Sequence, residues 1–156
     1  MTPGNFLAAE PLIVQRLQAV LPPQVHVLTA AELAQVAGSQ QPTPAVHVLY
    51  RGYQVDDSRT GAFAGVEQSW LTVAVARNVA DIEQGYHARQ AAGPLAAQVM
   101  DALYRHRLRD AQGQPIGMGP LRLDAAPAPG FEDGHFYLPL GWLCPVSFRS
   151  DACPAP

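Results

Sequence analysis

Histidines are the residues of this 156-residue chain best suited to metal binding or proton transfer. The five are His26, His47, His87, His106 and His135. None stands in an HxH or HExxH arrangement or beside a cysteine at ligand spacing. His26 and His47 share a Val-His-Val context on two predicted strands, so they form either a pair on one sheet face or two ordinary, partly buried imidazoles. No Asp or Glu is placed to be a third ligand, so we predict no metal site.

Adjacent carboxylates occur twice, at Asp56-Asp57 and Glu132-Asp133. Neighbouring residues on a strand point to opposite faces, so such pairs rarely share one proton as a catalytic dyad does. Motifs for a nucleophile elbow, a phosphate-binding loop or a dinucleotide site are absent, and the glycine-rich segment 113–119 lacks the Lys-Ser/Thr that would follow in a phosphate loop. We therefore predict no catalytic residue, no cofactor and no enzymatic activity.

The two cysteines do not suggest a disulfide framework. Cys144 lies in an apolar run and is predicted to be a buried thiol. Cys153 lies in the proline-rich segment 150–156, which we expect to be a flexible tail. A bridge between them is not expected in a reducing compartment.

Charge and composition favour a soluble protein with one packed core. The chain is 48% hydrophobic, has a net charge of −3, and all ten of its basic residues are arginines. It has neither the basic start of a signal peptide nor the roughly 20 apolar residues of a membrane span. The basic segment Arg105–Arg109 is predicted to end a helix, where it would complement the dipole. We therefore expect no membrane association and no sequence-specific nucleic-acid binding.

Helices must position these residues, and two main ones are predicted. Apolar spacing indicates a helix over 11–21, ended by Pro22-Pro23. A second stripe at four-residue spacing indicates a helix over 94–109, although Gly93-Pro94 leaves open an earlier start near Tyr86.

A third, short helix is predicted over 30–37. Thr29 and Glu32 have the spacing of a capping box at its start, and Gly38 would end it.

Strands are predicted over 24–28, 45–56, 67–78, 120–125 and 135–148. The pair 45–56 and 67–78 indicates a long antiparallel hairpin with an exposed loop, 57–65. Pro139 and Pro145 cannot donate to a ladder, so the last strand is predicted to lie at a sheet edge or to be broken by a bulge. The fold class is α+β: one domain with a single antiparallel or mixed sheet of about four or five strands, packed by two main helices.

Taken in order, these segments resemble the tail terminator family of long-tailed bacteriophages over residues 6–149. The similar segments are the first helix with Glu10, the strand Trp70–Asn78, the helix segment Ala92–Leu103 and the closing hairpin, with Pro120–Leu123 and Phe136–Leu140. Two regions depart from the family's pattern: the Gly- and Pro-containing insertion 110–119 and the proline-rich C-terminal extension.

The resemblance implies assembly rather than catalysis. Such proteins form a ring, commonly a hexamer, that caps the tail tube, stops its polymerisation and offers a surface for joining the head. The implied partners are copies of the chain, the tail tube protein, a head–tail connector or neck protein and, for a contractile tail, the sheath protein. DNA would have a path through the ring. The implied location is the head-proximal end of the virion tail, and the host cytoplasm during assembly.

A closed ring needs one patch of each subunit to meet a different patch of the next. The tip of the 45–78 hairpin is a natural arm, with Tyr50, Tyr53 and Phe63 as anchors and with Arg51, Asp56, Asp57 and Arg59 setting register by charge. Phe131, in the loop 126–134, is a further interface candidate. The alternative is that this tip is a mobile surface loop and that these aromatic side chains pack within their own domain.

Two other functions remain open from the sequence. One is a different phage neck or head-completion protein. The other is a small-molecule-binding domain or enzyme whose dispersed site includes His26 and His47.

Overall fold

The computed structural model describes residues 4–36, 40–56, 63–78 and 86–149. The three helices are α1 (Ala9–Val20), α2 (Ala30–Leu33) and α3 (Tyr86–Leu103), and the six strands are β1 (His26–Thr29), β2 (Ala45–Asp56), β3 (Phe63–Arg77), β4 (Arg122–Asp124), β5 (Gly130–Glu132) and β6 (His135–Arg149). They form one sheet in the order β1-β2-β3-β6-β4, with β5 also paired to β6. β1 is parallel to β2, and the other pairs are antiparallel. The predicted α+β class with a mixed sheet is confirmed.

The core lies between the sheet and the helices α1 and α3. Trp70 of β3 and Trp142 of β6 are directly opposite in register, and both are fully buried. Helical side chains in the same cluster include Ile13, Leu17, Val99 and Leu103. Each such fully buried large apolar side chain stabilises the fold by roughly 1.5–3 kcal/mol.

Polar atoms within this core are paired. The Trp142 Nε1 donates to Thr72 Oγ1 at 2.8 Å, and the Trp70 Nε1 donates to Gln68 Oε1 at 3.3 Å. An unpaired buried donor costs about 1–3 kcal/mol. These two hydrogen bonds avoid that cost for the N–H groups of both buried tryptophans.

Helix α3 is continuous through Gly93-Pro94, so the earlier start at Tyr86 is correct. Gly93 has no Cβ to meet the proline ring, which removes the clash that usually disfavours helix before proline. The predicted extension to Arg109 is wrong, because α3 ends at Leu103. Arg105 then adopts a left-handed φ of 59°, and its N–H donates to Leu121 O.

Strand β6 is interior to the sheet, so the predicted edge position or bulge is wrong. It pairs with all fifteen residues of β3 without a register shift, and its other side pairs with β5 and β4. The Ser147 N–H donates to Ile116 O on that other side. Backbone N–H groups alternate between the two sides of a strand, so the nitrogens of Pro139 and Pro145 point to the same side as that of Ser147, away from β3. On that side, both prolines lie outside the stretches of β6 that pair with β5 and β4. The prolines cost the β3–β6 ladder nothing.

The predicted capping box before α2 is confirmed. The Glu32 carboxylate accepts from the Thr29 N–H at 2.7 Å and from the Thr29 hydroxyl at 3.2 Å. The helix is shorter than predicted and ends at Leu33, and Gly38 lies outside the described residues. None of the helices that the structure describes is long and apolar enough to cross a membrane.

Candidate interaction surface

The two Val-His-Val histidines lie on the same face of the sheet, which is one of the two arrangements that the sequence left open, but two positions apart. In the β1–β2 register His26 pairs with Ala45, and His47 pairs with Leu28, so the histidines are offset along the sheet. His26 is exposed, whereas His47 is only 4% exposed. Within the described ranges, no three His, Cys, Asp or Glu side chains are grouped to hold a metal ion.

His47 instead neighbours an aromatic row on the sheet face opposite the helices. Its ring centroid is 6.4 Å from that of Tyr137, which stacks on fully buried His135 at 6.1 Å. Burial, and then the nearby His135, lower the pKa of His47 to about 4. The Tyr137 hydroxyl donates to Gln41 Oε1 at 3.2 Å, and burial followed by Glu132 and Asp133 raises its pKa. At neutral pH the side chains of His47 and Tyr137 are therefore uncharged, which suits their packing.

Cys144 is the buried thiol that the sequence predicts. Burial raises the pKa of Cys144 to about 12, so the reactive thiolate does not form at neutral pH. Cys153 lies outside the described residues.

The predicted hairpin is present as β2 and β3, and it contains an irregularity that the sequence analysis missed. The pairing shifts between Tyr50 and Gly52, so Arg51 is an extra residue on β2. Gly52 has a φ of 119°, a conformation that other residues rarely adopt. Because Tyr50 pairs with Trp70, and Tyr53 with Gln68, the bulge places both tyrosines on the helix side of the sheet.

An exposed aromatic cluster lies on this side, at the end of the hairpin. We call Phe6, Tyr53, Val55 and Phe148 the aromatic patch. The Phe6 ring stacks on Phe148 at 5.2 Å and meets Tyr53 edge-on at 5.4 Å. Tyr53 is 54% exposed and Val55 74% exposed. The Gln68 Nε2 donates to Phe6 O at 2.7 Å and holds the N-terminal segment against the strands.

The predicted interface residues of β2 have distinct environments. Tyr50 is half-buried, with its ring 5.1 Å from that of Trp70, so it packs on the core. Arg51 is exposed, and its Nη1 donates to Ala125 O at 3.1 Å. Of these residues, Tyr53 belongs to the aromatic patch.

The remaining predicted residues lie at the hairpin tip or at the other end of the sheet. The backbones of Asp56 and Phe63 belong to β2 and β3, but their side chains lie outside the described residues, as do Asp57 and Arg59. Phe131 packs against the cluster of Ala76, Ala88, Ala92 and Phe136.

Phe131 and Tyr53 belong to different ends of the molecule. Phe131 pairs with Phe136 of β6, whereas Tyr53 pairs with Gln68, which faces Cys144. Phe136 and Cys144 are eight residues apart along β6, which corresponds to roughly 26 Å at the rise per residue of a β-strand. Among the described residues, Tyr53 and Phe131 therefore lie on separate surfaces.

The sequence analysis missed three of the four residues of the patch: Phe6, Val55 and Phe148. Phe6 joins it only because the chain before α1 folds over the hairpin. The sequence did contain a sign of two of these residues. Phe6 comes before a predicted helix and Phe148 ends a predicted strand, and both lie outside the apolar stripes that form the core.

Comparison with protein families identifies the chain. The model of a family described as phage tail terminator protein matches residues 4–151. The chain belongs to this family. The match covers nearly the whole chain, so the resemblance proposed from the order of its segments is confirmed. Members of the family are structural proteins of the phage tail, not enzymes. A search of curated proteins finds no match.

Proposed function

We propose that the chain forms a closed ring, hexameric in its complete form, that caps the tail tube, stops its polymerisation and provides the surface for joining the head. Its partners would be copies of itself, the tail tube protein, a head–tail connector or neck protein and, in a contractile tail, the sheath protein. It would act at the head-proximal end of the virion tail, with a path for DNA through the ring. Family membership supports the tail role, and the exposed aromatic patch is the observation that supports assembly.

The aromatic patch has the properties of an interface anchor. Tyr53 and Val55 are more than half exposed on β2, which is paired along this stretch with β3, and β3 is paired in turn with β6. Aromatic residues bury much area at low entropic cost, and rigid presentation reduces the cost of ordering on binding. A neighbouring subunit would therefore gain most from covering Tyr53 and Val55.

The predicted charged residues fit this proposal as orienting groups. Arg51 ties the bulge of β2 to Ala125, so it positions the hairpin rather than reaching a neighbour. Asp56, Asp57 and Arg59 follow Val55 in the chain and, with Phe63, stay proposed contacts of the hairpin tip.

Phe131 stays a candidate for the other side of the contact. A cyclic ring needs two different patches, and Phe131 lies at the opposite end of β6 from Tyr53. This arrangement would allow the hairpin of one subunit to reach the β5 end of the next.

A variant with Tyr53→Ser and Val55→Ser tests the ring interface. We expect rings seen by electron microscopy, and ring-sized mass in light scattering, to be lost while the circular dichroism spectrum stays native. Tyr86→Ser is the matched control, because Tyr86 is 57% exposed but lies at the start of α3. Rings of unchanged size in the double variant would exclude the aromatic patch as the interface. Rings that bind a head connector but not a tail tube would favour a neck protein instead.

A further inference from the structure

A second surface follows helix α3, where the chain is extended. Arg105, Arg107 and Arg109 are exposed, while Leu108 between them is buried. The nearby carboxylate of Asp110 accepts the N–H groups of Gln112 and Gln114 at its Oδ1, both at 2.9 Å, and among the described residues it forms no ion pair with these arginines. Three arginines therefore stand together on a protein whose net charge is −3.

The positive charge in this region affects the pKa of the neighbouring His106. Burial lowers the pKa of His106, and the positive charges of Arg16 and Arg109 lower it further. Arg16 reaches the region from α1, where its Nε donates to Ala102 O at 2.9 Å. Two elements of the chain thus bring cations to the same place.

The arginines are held by an ordered loop. Arg109 Nη1 donates to Gly113 O at 2.9 Å, and Arg107 Nη2 to Gly117 O at 3.4 Å. The loop is anchored in turn by the Ile116 N–H, which donates to Leu108 O. Gly117 packs so closely on the Pro145 carbonyl of β6 that a Cβ would clash with it. The guanidinium groups of Arg107 and Arg109 are thus held by hydrogen bonds while their side chains stay exposed, which lowers the entropy lost on binding.

Large apolar side chains accompany the arginines. Met118, in the same loop, is 85% exposed, and Tyr104 is 47% exposed with its ring 5.6 Å from the Arg105 guanidinium carbon. Arg, Tyr and Met are the residue types enriched in protein–protein interfaces. A phosphate backbone would use the arginines but would have no need of Met118.

We infer that Tyr104, Arg105, Arg107, Arg109 and Met118, together the basic surface, bind a second tail protein whose docking face presents carboxylates around an apolar socket. The inference rests on the proposed function for its setting, a ring seated in a tail. Of these five residues, Met118 alone lies in the segment 110–119 that departs from the family's pattern, and the same segment supplies the carbonyl groups that hold Arg107 and Arg109.

We assign the acidic docking face to a different protein, because the described residues of this chain do not form an unpaired acidic surface that would complement the basic surface. Its close carboxylates Glu132 and Asp133 share their turn with Arg77, whose side chain lies beside Gly134. Glu67 is paired with Arg122. Among the described residues a second copy therefore offers no unpaired acidic cluster. The Asp56-Asp57 pair of the hairpin tip, whose side chains lie outside the described residues, is the self-contact that the ring assay below tests.

The test is a charge reversal, Arg107→Glu with Arg109→Glu, and separately Met118→Ser. The probe is tails assembled by a phage whose copy of this gene is deleted, and the measurement is cosedimentation of added protein with those tails. We expect the charge reversal to weaken binding about 100-fold and Met118→Ser about 10-fold, because buried charge pairs and apolar anchors dominate such contacts. Arg77→Glu with Arg89→Glu, which changes the same charge at exposed sites elsewhere, is expected to stay within about 2-fold of the wild type.

Ring assembly and DNA binding of the same variants separate the alternatives. We expect rings of normal size in electron micrographs and no dependence of duplex-DNA binding on Met118 or the arginines. The inference is overturned if the charge-reversed protein binds tails as the control does, if it loses its rings, or if its defect is instead the loss of DNA binding. Wild-type protein that neither forms rings nor binds tails would contradict the proposed function itself.

Discussion

The ring of Phe6 lies nearly parallel to that of Phe148, with centroids 5.2 Å apart and an interplanar angle of 9°. Phe6 precedes the first helix, and Phe148 is the second-last residue of the last strand. Their contact joins the two ends of the folded domain beside the hairpin, and Tyr53 completes the cluster edge-on. The surface proposed for assembly thus depends on the chain ends as well as on the hairpin.

Phe6→Ala tests that dependence. Losing the stack and part of the ring's burial should lower the free energy of unfolding by about 1–2 kcal/mol and weaken ring formation. Urea denaturation and light scattering measure the two effects. Leu7→Ala is the control, because Leu7 is 36% exposed, close to the 39% of Phe6, but is not in the stack. Equal effects of both substitutions on ring formation would contradict a specific role for Phe6.

Gly141→Ala tests the crossing of the segment after β4 over β6. A Cβ at Gly141 would lie 2.5 Å from Ala125 O and 2.7 Å from Asp124 O, both backbone atoms that cannot move aside cheaply. We expect a loss of about 2–4 kcal/mol in urea denaturation. Gly130→Ala should change stability by less than about 0.5 kcal/mol, since nothing lies within 4 Å of its Cβ position. A Gly141 variant as stable as the Gly130 variant would rule out this close approach.

His47 should make stability fall in mild acid. Its pKa is about 4 in the folded protein and 6.5 ordinarily, so between these values the unfolded chain binds a proton that the folded chain does not. Stability is therefore fully present above pH 6.5 and declines as the pH falls towards 4, by about 3 kcal/mol at most.

His47→Leu should flatten this decline in urea titrations from pH 7 to pH 4, whereas His26→Leu, in the same Val-His-Val context but exposed, should not. His135 and Tyr137, which face His47 from β6, stay in place in both variants. Parallel pH profiles for the wild type and His47→Leu would contradict the account of this histidine.

Local patterns were enough to predict most elements. The Thr29–Glu32 capping box, the stripe of α1 and the β2–β3 hairpin follow from spacing alone, because each depends on neighbours in the chain. The order of these elements also carried the family resemblance that the family match confirms.

Relations between distant segments could not be predicted in the same way. In a regular strand Tyr50 and Tyr53 would face opposite sides, and only the bulge at Arg51 puts them on one side. Pro139 and Pro145 suggested an edge strand, because proline cannot donate to a neighbouring strand. In the structure β4 and β5 each pair with only a short part of β6 and leave both prolines unpaired on that side, which the sequence does not show. The sequence did show a glycine, Gly52, inside a predicted strand, which is a common sign of a bulge. In the structure this glycine has the positive φ that the bulge requires.

Electron cryomicroscopy of tails purified from the phage that encodes this chain tests the central claim most directly. The account predicts a closed ring of this chain at the head-proximal end of the tail tube, with Tyr53 and Val55 buried against the adjacent subunit. A tail whose head-proximal end lacks the chain, or carries it only as isolated copies with both side chains exposed, would contradict it.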